Sequence, residues 1–89
     1  MGKTNFMILM EEFGNVVIAD KVDYAQAMVL AKELTRMIKD ESVRLGSSDK
    51  VNLIKNMSRL RVRAKYERPP REGAVTKLAA LSGEMVSLM

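Results

Sequence analysis

Eighty-nine residues with a 47% hydrophobic fraction suit one small domain with a real core and argue against disorder. The chain has no cysteine and no histidine, which excludes a disulfide framework, a thiolate nucleophile and zinc sites built on sulfur or imidazole, and removes the commonest general acid–base side chain. The formal charge of +4 conceals an asymmetry: residues 1–45 carry six Lys/Arg against seven Asp/Glu, and residues 46–89 carry nine against four.

At the N-terminus, Met1-Gly2-Lys3-Thr4 lacks the upstream glycines of a phosphate-binding loop. Thr4 to Glu12 reads as a strand, with Phe6, Ile8 and Met10 on one face and Met7 and Leu9 on the other. Such a strand wants cover on both sides. Gly14-Asn15 signals a turn, and Val16-Val17-Ile18-Ala19 a β-branched return strand. The apolar run from Phe6 to Met10 is short and meets Glu11-Glu12, so no signal peptide is read. No run approaches the roughly 18 apolar residues of a membrane span. The default expectation is a cytoplasmic protein with no membrane contact.

Asp23 is placed to cap a helix, with Gln26 three residues on as in a capping box. Tyr24, Met28, Ala31, Leu34, Ile38 and Leu45 recur at helical spacing. Gly46, with Arg44 before it, marks the end, so a helix is expected over about 23–45. Gly46-Ser47-Ser48-Asp49 is a loop. The stretch 50–58 is either a short helix capped by Ser48 or Asp49, or one arm of a hairpin turning at Asn56-Met57-Ser58. The hairpin is preferred because the next segment needs a pairing neighbour.

That segment, Arg59-Leu60-Arg61-Val62-Arg63-Ala64-Lys65-Tyr66, alternates cations with apolar or aromatic residues without a break. Read as a strand, it sends Leu60, Val62, Ala64 and Tyr66 to a core and aligns Arg59, Arg61, Arg63 and Lys65 in a row about 20 Å long. From Lys50 to Arg71 there are eight cations and one acid, Glu67. Glu67 to Gly73, containing Pro69-Pro70, is a connector. Ala74 to Leu88 reads as a second helix, with Gly83 weakening its middle. The stretch Thr76 to Met85 does not complete a helix-turn-helix, because Ser82 and Glu84 stand where apolar residues are needed.

The expected fold is a single α+β domain over 1–89, in the order β-β-α-β-β-α. The expected function is non-enzymatic nucleic-acid binding, DNA ahead of RNA. Arg59, Arg61, Arg63 and Lys65 would be the main phosphate contacts, helped by Lys50, Lys55, Arg68 and Arg71. Glu11 and Glu12, adjacent on a strand, point to opposite faces and make no catalytic pair, and neither metal nor cofactor is expected. The apolar terminal helix, through Val75, Leu78, Leu81, Met85 and Leu88, is expected to form a homodimer. The alternative is an adaptor, inhibitor or assembly subunit gripping an acidic protein through the basic strand and faces rich in the eight methionines.

Overall fold

Leu53, Met57, Leu60 and Ala64 are all buried, and their spacing of four, three and four is that of one helical stripe. The computed structural model describes residues 5–41, 44–67 and 73–89. Among these there are four α-helices and no strand: α1 Asn5–Ile18, α2 Tyr24–Lys39, α3 Ser47–Glu67 and α4 Ala74–Leu88. The α+β expectation is overturned, and the fold is all-α.

α3 replaces both the 50–58 hairpin arm and the basic strand. Leu60 and Ala64, which the alternation assigns to the core, are in it; Val62 and Tyr66, assigned beside them, are 53% and 78% exposed. Periods of 2 and 3.6 agree for residues four apart and disagree for residues two apart. Leu, Arg, Lys and Ala all favour helix, and no Gly or Pro interrupts residues 47–67. Asp49 lies in the first turn, where the helix dipole stabilises negative charge.

α1 replaces the first hairpin. Phe6, Phe13 and Val17 are buried along one side of it. The expected turn, Gly14-Asn15, lies inside the helix. Gly14 faces α3, where an added Cβ would stand 3.5 Å from the Asn56 side-chain nitrogen, an ordinary contact. The run Val16-Val17-Ile18 is a poor helix former, so tertiary packing, not propensity, holds α1 in this form. It packs on α2 and on α3.

α2 starts where the sequence places it. Asp23 is the N-cap, its carboxylate accepting from the Gln26 N–H at 3.1 Å. The helix stops at Lys39, short of the expected residue 45. The Asp40 N–H donates to the Arg36 carbonyl at 2.9 Å, and Glu41, in a left-handed conformation at φ 56°, donates to the Ile38 carbonyl at 3.1 Å. A glutamate thus takes the role assigned to Gly46. Leu45, beyond the helix, still packs against the core.

α4 matches its expected span. Gly73 precedes it at φ 79°, a conformation that glycine adopts without a Cβ clash. Residues 68–72, most of the expected connector, lie outside the described residues. Leu78, Leu81 and Met85, expected at a dimer surface, are instead buried in the chain's own core; Leu88 is exposed. Of the described methionines, Met57 and Met85 are core, Met10, Met28, Met37 and Met89 pack against it, and Met7 is half exposed.

The packing pairs are α1–α2, α2–α4, α4–α3 and α3–α1, which close a ring of four helices. Phe13, Leu34, Leu53, Met57, Leu60, Leu78, Met85 and Val17 are the large side chains sealed inside it. Among the described residues no helix is long and apolar enough to cross a membrane.

Candidate docking surface between the first and third helices

Residues two apart on a helix lie about 200° apart around its axis. The alternating cations of α3 are therefore divided between its flanks. Arg59 and Arg63 lie on the side adjoining α1, while Arg61 and Lys65 lie on the opposite flank. Lys55 belongs with the first pair, one turn before Arg59. Lys50 is half-buried in the first turn, and Arg68 and Arg71 lie outside the described residues. The continuous row of phosphate contacts does not form, because residues 59–65 are helical.

Arg63 is committed to the fold. One guanidinium nitrogen, Nη1, donates to the carbonyls of Val17 at 2.6 Å and Ala19 at 2.5 Å, and Nη2 donates to the carbonyl of Asp20 at 3.0 Å. The last carbonyls of a helix have no partner inside it, and α1 has no cation in its own last turn. Arg63 satisfies these groups and places positive charge at the negative end of the α1 dipole. Its Nε donates to Glu67 Oε1 at 2.7 Å, and the Tyr24 hydroxyl donates to Glu67 Oε2 at 3.0 Å. The end of α1, the start of α2 and the end of α3 are thereby tied together.

The electrostatics of this junction follow from its contacts. The hydrogen bond from Arg63, helped by that from Tyr24, holds the Glu67 carboxyl below the ordinary carboxylate range. Partial burial and the hydrogen bond to Glu67 push the Tyr24 phenol above its ordinary value.

Next to Arg63 a shallow groove of about 440 Å³ runs between α1 and α3, lined by Val17, Ile18, Lys55, Ser58, Arg59, Val62 and Arg63. Val17 is sealed beneath it, while Ile18 and Val62 are more than half exposed. Lys55 and Arg59 are exposed on its α3 side. Among the described residues no hydrogen bond or ion pair holds either; the side-chain ion pairs join Arg36 to Glu33 and Asp40, and Arg63 to Glu67. The groove is therefore an apolar strip in water, lined in part by the stems of two cations that have no partner among the described residues.

Sequence reasoning selected Lys55 and Arg59 and missed Ile18 and Val62, which it assigned to strands. The signal that finds Val62 is the spacing of Leu53, Met57, Leu60 and Ala64, which puts it on the outer face. Among the described residues no group of acidic, His or Cys side chains is arranged to hold a metal ion. Comparison of the chain with protein-family models, with curated proteins and with solved structures finds no match.

Proposed function

We propose that this chain is a non-enzymatic protein-interaction module whose docking surface is the α1–α3 groove with the adjoining outer face of α3. The observation that carries this reading is the pairing of solvent-exposed Ile18 and Val62 with the unpaired cations Lys55 and Arg59 in one groove. Apolar side chains left in water gain from burial against a partner. Unpaired cations at the margin select a partner with negative charge and speed its approach. The absence of histidine and cysteine from the chain supports a binding role over a catalytic one.

The strand-borne mechanisms, whether for nucleic acid or for an acidic protein, are set aside with the strand. The groove differs from them in kind: its centre is apolar, and one of its three cations, Arg63, is already occupied by the α1 carbonyls. An Asp/Glu-rich peptide titrated into isotopically labelled full-length protein tests the reading. Amide shifts should move at Ile18, Lys55, Ser58, Arg59 and Val62, diminish with salt, and vanish in a Lys55→Glu, Arg59→Glu variant. Shifts confined to α2, or none at all, would refute it.

A further inference from the structure

We infer that the segment received by this groove is an acidic amphipathic helix of about four turns, laid along α3. The inference rests on the proposed docking function and names the shape of its partner. Val51, Lys55, Ser58, Val62 and Tyr66 are all exposed, and they recur at spacings of four, three, four and four. That pattern is a second helical stripe, on the far side of α3 from the buried stripe at Leu53, Met57, Leu60 and Ala64. From Val51 to Tyr66 it extends about 22 Å, or four turns.

A stripe with spacings of three and four is the seam along which another helix packs by inserting its side chains between those of the first. Val51 and Val62 supply apolar contacts toward the two ends, Tyr66 adds a ring beyond Val62, and Ser58 leaves room for close approach at the centre. Ile18, contributed by α1, widens the seam on one side into the groove. An incoming helix would bury an apolar residue against Ile18 and Val62 and set carboxylates one turn apart opposite Lys55 and Arg59.

Charge decides against a second copy of this chain as the occupant. A two-fold pairing through this surface would bring together two faces that each carry Lys55 and Arg59 and, on the stripe itself, no carboxylate to answer them, and like charges brought together oppose association. A partner helix with Glu at positions four apart and Leu on the adjoining positions has the complementary pattern.

The test uses three 18-residue peptides with full-length protein: a Glu/Leu peptide with helical periodicity, a scramble of the same composition, and a Glu/Gln peptide of equal charge without apolar residues. Titration by calorimetry and amide shifts should show the periodic peptide binding at least about tenfold tighter than either control, and becoming helical as it binds. Lys55→Glu with Arg59→Glu should abolish the difference, and a Lys/Leu peptide should restore binding to that variant. Retained helicity and melting of the variant would show that its fold is intact.

Equal binding of all three peptides would overturn the inference and leave the docking function standing. Binding of none, with a duplex oligonucleotide or anionic vesicles shifting the groove amides instead, would overturn both. A concentration-dependent dimer of the peptide-free protein with this groove at its interface would also overturn the inference, assigning the seam to self-association.

Discussion

Arg63 donates to the main-chain carbonyl of Val17 at 2.6 Å, so a cation of the third helix completes the end of the first. This contact separates Arg63 from Arg61, its neighbour two residues away on the same helix. Replacing Arg63 with methionine keeps most of the apolar stem and removes the donors to Val17, Ala19 and Asp20. The expected loss is about 1–3 kcal/mol, or roughly 4–8 °C in melting temperature for each kcal/mol in a domain of this size. Arg63→Lys should not restore it, because a single ammonium cannot reproduce the forked contacts. Arg61→Ala should fall within about 0.5 kcal/mol of the parent. Equal effects at the two positions would contradict the structure.

Glu67 and Tyr24 give this junction a stability window in pH. Glu67 has a lowered carboxyl value when folded, so its contribution is present above the unfolded carboxylate value and fades as pH falls through the folded one. Tyr24 has a raised phenol value when folded, so its contribution is intact below the unfolded phenol value near 10.0 and fades as pH rises through the folded one. Glu67→Gln should flatten the acid side of the profile, and Tyr24→Phe the alkaline side. Chemical denaturation at a series of pH values checks both. A profile unchanged by either substitution would remove the junction from the stability of the fold.

Two backbone substitutions discriminate sharply between helix and turn. Gly14→Ala should stabilise by up to about 1 kcal/mol, since alanine is the better helix former and its Cβ meets only an ordinary contact with Asn56. In a hairpin turn requiring positive φ, the same change would destabilise. Glu41→Gly should also stabilise, by relieving a side chain held at φ 56°. Melting temperatures that fall for both variants would refute these placements.

α4 contributes Leu78 and Met85 to the sealed core. Leu78→Ala should cost about 2–5 kcal/mol, and Leu34→Ala a similar amount for the same reason. Deleting residues 74–89 should therefore unfold the protein, whereas a helix serving only as a dimer contact would leave a folded monomer. Circular dichroism with sedimentation separates the outcomes.

The parts of this fold legible in the sequence are those where local chemistry and packing agree. Asp23 caps α2 as its position three residues before Gln26 suggests, and Ala74–Leu88 forms α4 over its expected length. α1 was hidden because Gly14 and three consecutive β-branched residues oppose helix locally, and only contacts with α2 and α3 override them. α3 was hidden for another reason. Leu60 and Ala64 satisfy both periods, and Val62 and Tyr66 happen to be apolar, so the strand pattern is complete by coincidence. The cations of the candidate site could be named from sequence. Which of them are free could not, because Arg63 is distinguished from Arg59 only by the approach of the α1 terminus.

The helical course of residues 59–66 underlies the split of the cations, the commitment of Arg63 and the exposed seam. Because the chain contains no cysteine, single cysteines at positions 60, 62, 64 and 66 can report it through their rates of reaction with a thiol reagent under native conditions. The structure predicts that cysteines replacing Val62 and Tyr66 react at rates close to those in the unfolded chain, while those replacing Leu60 and Ala64 are strongly protected. Protection of all four positions alike would mean that the segment is a strand with one buried face, and would contradict the account at its root.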